Sequence, residues 1–214
     1  MAVDYAKLTE NLGRFYDFTD KVVLFVGAGG KQLLDSSIRT RKLIAIDQDV
    51  ESLRELKTKL AAKGMPTSVD IVGSSFEDVT LCGDVVYFEF CLHEMADPQK
   101  VLSQARTLAP DIVVLDHLPG SDWVFYAAEE DEVRRSAEAI ERFGVLRRET
   151  FCTEQRFRDP AELLAKVSGQ GAVATQRAQC FAGAANIIIP MGYELALLSS
   201  HANVGQSLWA SRRI

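Results

Sequence analysis

Val22–Lys31, V-V-L-F-V-G-A-G-G-K, is an apolar run that breaks abruptly into glycines, and it constrains the fold more than any other stretch of the chain. Five consecutive apolar residues opening with two β-branched valines predict a strand buried on both faces, as in a parallel sheet covered by helices. Gly27, Gly29 and Gly30 end it with a turn that tolerates positive φ and brings backbone N–H groups close to whatever lies above the strand. A glycine turn that only links a strand to a helix would look the same, so the next strand matters. Lys42–Ile46 ends in Asp47, 20 positions after Gly27. That is the spacing of an acidic residue that grips a ribose diol in a nucleotide-binding βαβ unit.

The 214 residues are enough for one domain with a substantial core, and one domain spanning residues 1–214 is expected. A formal charge of −6 argues against broad phosphate-backbone binding, so nucleic acid is not an expected partner. Cys82, Cys91, Cys152 and Cys180 form no C-x-x-C pair and no metal-ligand spacing with the three histidines. They read as reduced thiols of a cytoplasmic protein, and no metal is expected. The first twenty residues carry Asp4, Glu10, Asp17 and Asp20 without an apolar core, and no later run approaches the length of a membrane span. No membrane association is expected.

Tyr5, Leu8, Leu12 and Phe15 recur at helical spacing, predicting an amphipathic helix over Asp4–Phe15 in an entrance segment of residues 1–20. Lys31–Ile38 reads as a short helix after the glycine turn. Asp49–Lys63 is a second, capped by Asp49 and stopped by Gly64. Strands follow at Ser68–Val72, Asp84–Phe90 and Asp111–Leu115, with a helix opened by Asp97-Pro98 between the last two. This alternation predicts an α/β fold with a mainly parallel sheet. Glu129–Phe143 and Pro160–Val167 read as helices, while Val145–Phe157 is extended and charged. Two β-like runs, Ala174–Phe181 and Ala185–Leu198, suggest a closing hairpin around Ala182-Gly183-Ala184.

The order of elements and the residues at the strand ends resemble a class I S-adenosylmethionine-dependent methyltransferase from about Asp4 to Asp116. Gly27-Ala28-Gly29 matches the first two glycines of the family's G-x-G-x-G, Asp47 its ribose-binding carboxylate, and Gln48 the residue that often lies along the adenine. Ser74-Ser75-Phe76 occupies the adenine-facing position after the third strand. The stretch D-V-V-Y-F-E-F-C-L-H-E-M, followed by D-P-x-x-V-L and I-V-V-L-D, resembles small-molecule methyltransferases related to quinone-biosynthesis enzymes. Two departures stand out: Phe25 replaces the acidic residue that normally helps hold the methionine amino group, and Lys31 falls where the third glycine would be.

The resemblance implies a Rossmann-like fold, a seven-stranded sheet closed by an antiparallel hairpin, S-adenosyl-L-methionine as cofactor and a small-molecule methyl acceptor. Donor contacts are then expected from Gly27, Ala28, Gly29, Asp47, Gln48, Ser75, Phe76, Glu89 and Phe90. In-line methyl transfer needs alignment, and an acidic nucleophile also needs a base. His93 and His117 are the candidates, each equally readable as a positioning or packed residue. Trp123 and Tyr126 are candidate walls of an acceptor pocket or members of a packed lid, within an acceptor-side region of residues 118–157. A non-catalytic binding protein of the same fold is an alternative. A nicotinamide-dependent oxidoreductase is another, disfavoured because Gln32 stands where G-x-G-x-x-G has its third glycine.

Overall fold

The computed structural model describes residues 4–28, 39–62 and 69–199. Helix α1 (Tyr5–Phe15) leads into β1 (Val22–Val26), followed by β2 (Lys42–Asp47), α2 (Val50–Ala62) and β3 (Val69–Gly73). After one 3₁₀ turn, Phe76–Asp78, come β4 (Val85–Glu89), α3 (Pro98–Leu108), β5 (Asp111–His117), α4 (Asp122–Ala127) and α5 (Glu130–Phe143). The chain closes with β6 (Val145–Phe157), α6 (Pro160–Val167), α7 (Ala172–Ala178) and β7 (Ile187–Ser199). The expected helix over Lys31–Ile38 and the stop at Gly64 lie outside the described residues.

One seven-stranded sheet has the order β3-β2-β1-β4-β5-β7-β6. Strands β1 to β5 are parallel, and β7 enters antiparallel between β5 and β6. The order reverses direction at β1 and β4, so the crevice above their carboxyl ends is where an open α/β sheet takes its ligand. Alternation along each strand feeds two cores. Val85, Tyr87, Val113 and Leu115 face the side covered by α1, α2, α4, α6 and α7. Val86, Phe88, Ile112 and Val114 face the side covered by α3 and α5.

Local chemistry accounts for the caps. The Asp4 carboxylate accepts from Lys7 N at 3.1 Å to start α1, and Asp97 accepts from Lys100 N at 3.0 Å to start α3, where Pro98 lacks only a hydrogen that would be unpaired. Asp84 holds β1 beside β4 by accepting from the backbone N–H of Val22 at 2.7 Å.

The closing hairpin is real, but its first strand is not Ala174–Phe181. That stretch is α7 followed by a 3₁₀ turn, and the partner of β7 is the charged segment Val145–Phe157. Ala174, Thr175, Gln176, Arg177 and Ala178 include several good helix formers, and Ala174 and Ala178, four apart, are both buried. The charge of β6 belongs to its place at the sheet edge, where exposed Arg147 and Arg148 guard against pairing with another chain. Pro190 is tolerated in β7 because β5 pairs only with Tyr193–Ser199, leaving the Pro190 side of that strand without a ladder to complete.

Candidate functional site

A cleft of about 310 Å³ opens over the carboxyl ends of β1, β2 and β3, lined by Gly27, Asp47, Gln48, Ser75 and Phe76 among others. Five of the sequence-predicted donor residues therefore meet in one place. Gly27 has φ +79°, and a Cβ built there would lie 2.7 Å from the Cβ and 2.8 Å from the Sγ of Cys91. Cβ atoms are tied to the backbone, so neither side can give easily. Gly27→Ala is expected to cost about 2 kcal/mol or more in urea unfolding. A loss under about 0.5 kcal/mol would show that the turn has room the structure does not display.

The amides of Gly27 and Ala28 both donate to the Ile46 carbonyl, at 3.1 and 3.3 Å, so they tie β1 to β2 rather than point at a ligand. Gly29 lies outside the described residues. Asp47 ends β2 half-buried and accepts from the backbone N–H of Asp49 at 2.9 Å, which fixes its carboxylate at the rim. The Ser75 hydroxyl donates to Glu77. Phe76 is buried on the edge of Phe88, with ring centroids 5.3 Å apart, and forms part of the floor. Cys91, Glu94 and Met95 also line the cleft. Sequence reasoning missed them in this role; the available signal was their place in the first turns after β4, next to residues it did select.

Glu89 ends β4 and Phe90 follows it, but neither is among the described residues lining that cleft. Tyr87, two residues earlier on the same sheet face, donates its hydroxyl hydrogen to Glu89 at 2.9 Å. Burial raises the Glu89 carboxyl to about 7, outweighing that hydrogen bond. Phe25 packs on Tyr87 with ring centroids 5.1 Å apart, and is paired with it in register. The carboxylate missing from β1 thus has a neighbour on β4, one pleat further along the same face. Phe90 turns the chain through φ +48°, a left-handed conformation rare outside glycine, and its ring lies 4.7 Å from that of His117.

Beyond β4 and β5 a second polar cluster is built around Asp116, which is fully buried. Its Oδ1 accepts from His93 Nδ1 at 2.5 Å and from the His117 amide at 2.9 Å. Its Oδ2 accepts from the His93 amide at 3.1 Å and from Ser136 Oγ at 3.0 Å. All of the carboxylate's acceptor sites are used. Burial alone would raise its pKa, but His93 and these donors hold it below the usual carboxylate range. For His93, burial pulls downward while Asp116, Glu129 and Glu94 pull up, and the result is about 9. Burial and the charge of His93 push His117 down to about 3. At neutral pH His93 is therefore protonated and His117 neutral and weakly basic, whereas a general base works best near the operating pH.

Trp123 is buried in α4, stacked on Phe157 with ring centroids 6.0 Å apart. Tyr126, half-buried in the same helix, faces Phe181 at 5.0 Å. Both pack on the side of the sheet covered by α6 and α7, and neither is among the described residues lining the cleft. No helix among the described residues is long and apolar enough to cross a membrane.

No family model and no curated protein matches this sequence. Solved structures do. The chain is similar to a candidate methyltransferase from Bacillus halodurans C-125 at 14% identity and a TM-score of 0.64, covering 93% of this chain and 99% of that one. It is similar to the YcgJ protein of Bacillus subtilis at 12% identity and a TM-score of 0.67, over 92% and 100%. A SAM-dependent methyltransferase from Aquifex aeolicus matches at 18% identity and a TM-score of 0.54, over 91% and 89%. At such identities the likeness speaks for the fold. With its sheet order, its crevice above β1 and β4 and its antiparallel closing hairpin, the chain has the Rossmann-like fold of the class I SAM-dependent methyltransferases.

Proposed function

We propose that the protein is an S-adenosylmethionine-dependent methyltransferase acting on a small-molecule acceptor. The observation that carries this reading is the convergence of Gly27, Asp47, Gln48, Ser75 and Phe76 on one cleft at the switch point of the sheet. The cleft is of ligand size, its rim carries a fixed carboxylate, and its floor is apolar and aromatic. These features suit a nucleoside. S-adenosylmethionine, when bound, supplies an activated methyl group on a sulfonium.

In this reading Asp47 accepts from the ribose hydroxyls, Gln48 and Ser75 meet the adenine edge, and Phe76 supports its face. Glu89 stands in for the acidic residue that Phe25 replaces. Its carboxyl, held at about 7 by burial, loses its proton readily when a methionine ammonium arrives, because the cation offsets the cost of the buried charge. Phe90, His93 and His117 wall the far side, where an acceptor is aligned with the methyl group. The cleft lining carries Asp47, Glu77 and Glu94 and, among the described residues, no lysine or arginine, an acidic surface that favours a small acceptor over a phosphate backbone.

Titration calorimetry with S-adenosylmethionine, S-adenosylhomocysteine and NADH in parallel tests this. Micromolar binding of both sulfur nucleotides and none of NADH is the expected result. Failure of both sulfur nucleotides to bind would overturn the proposal, and NADH binding in their place would identify an oxidoreductase.

A further inference from the structure

His93, His117 and Glu129 come from three separate elements: the turn after β4, the last position of β5, and the residue that precedes α5. One potential ligand atom from each lies within 4.8 Å of the other two. His93 Nε2 is 3.8 Å from Glu129 Oε2, and the two imidazole rings have centroids 5.2 Å apart. His117, only 8% exposed, has a buried Nδ1 without a hydrogen-bond partner, and so has Oε2 of Glu129. Orphaned buried polar atoms are costly, commonly about 1–3 kcal/mol each, and two in one cluster need a reason.

We propose that these three side chains form a binding site for a divalent transition-metal ion of the zinc type. Two imidazoles and one carboxylate are a donor set for zinc, cobalt or ferrous iron, while magnesium and calcium prefer an all-oxygen shell. Asp116 completes the arrangement from behind. By holding Nδ1–H of His93 at 2.5 Å it leaves Nε2 as the ligating nitrogen, the carboxylate–histidine–metal relay found in metal sites generally. Glu129 is held in turn by Gln170 through its other oxygen. Bonds of about 2.0–2.2 Å require the ligand atoms to draw in to roughly 3.4 Å of one another, which modest side-chain rotations supply. Three protein ligands leave a coordination position open to water or to a heteroatom of a second molecule.

The test uses the full chain freed of any affinity tag and stripped with a chelator. Zinc is titrated calorimetrically, and cobalt is followed by its visible absorption. One ion per chain is expected, with a cobalt spectrum of nitrogen and oxygen ligation. His117→Ala and Glu129→Gln should each weaken zinc by about 100-fold or more while circular dichroism shows both variants folded. Absence of stoichiometric zinc binding overturns the proposal. So does binding that survives both substitutions, or a thiolate charge-transfer band, which would place the ion on the exposed Cys82, Cys152 or Cys180. None of these readouts depends on S-adenosylmethionine binding or methyl transfer.

Discussion

Asp116→Ala is expected to destabilise the protein by about 3–5 kcal/mol, since it removes one partner of a buried ion pair and leaves the other charged and dry. The magnitude follows from how completely this carboxylate is used. His93 and Asp116 side chains are 3% and 2% exposed, so water cannot take over the lost role. The backbone N–H groups of His93 and His117, and the hydroxyl of Ser136, lose their acceptor in the same step. These donors lie on the turn after β4, the end of β5 and α5, so the carboxylate joins three elements at one point. For a chain of this length the melting temperature should fall by roughly 10 °C. Asp116→Asn keeps acceptor capacity for the hydroxyl and one amide but cannot balance His93, and should fall between parent and Asp116→Ala. Ser136→Ala, which deletes one neutral donor, should cost only about 1 kcal/mol. Thermal denaturation of the three variants checks the order. An Asp116→Ala variant melting within about 2 °C of the parent would mean that His93 is not a buried cation.

The second large effect concerns the cleft. Asp47→Ala should weaken S-adenosylmethionine and S-adenosylhomocysteine by about 100-fold, because a carboxylate accepting from two ribose hydroxyls contributes charge-assisted hydrogen bonds of about 1.5–3 kcal/mol each, part of which water recovers at a half-buried rim. The side chain also accepts from the Asp49 amide at the start of α2, so some loss of stability is expected with it. Asp47→Asn separates the two: it retains an acceptor for that amide while losing the charge, and should keep the melting temperature close to the parent's with a smaller loss of affinity. Unchanged nucleotide affinity in Asp47→Ala would place the ribose elsewhere and remove the main support for the donor arrangement. Glu89 is the natural comparison, because its contribution is expected to depend on the ammonium group of the ligand rather than on its ribose.

The parallel half of the fold was legible from local patterns. Buried parallel strands must be apolar throughout, and V-V-L-F-V, L-I-A-I and I-V-V-L are exactly such runs, each ended by a glycine or an aspartate. The sequence spacing between Gly27 and Asp47 was equally informative, since a βαβ unit has a narrow range of lengths and brings both residues to one rim. The closing hairpin was expected, yet its first strand was sought too late in the chain. An edge strand exposes one face and one set of hydrogen-bonding groups, so Val145–Phe157 carries charge and shows no apolar run, while the inserted α6 and α7 separate it from β7.

The same division holds for the candidate site. Asp47, Gln48, Ser75 and Phe76 stand at strand ends, where topology alone carries them to the cleft. Trp123 and Tyr126 could not be placed this way, because an aromatic residue in α4 has the same composition whether it faces a ligand or, as Trp123 does, another ring in the core. The histidine cluster is the clearest case. His93 and His117 are 24 positions apart and Glu129 lies 12 further on, spacings that match no ligand motif. What the sequence by itself determined is the alternating α/β architecture and the rim of the cleft, because hydrophobic period and glycine placement are local properties of the chain. Only the tertiary structure decided that the turn after β4, the end of β5 and the middle of α5 meet around Asp116, because which charges share a dry interior depends on how parallel strands and their crossing helices pack.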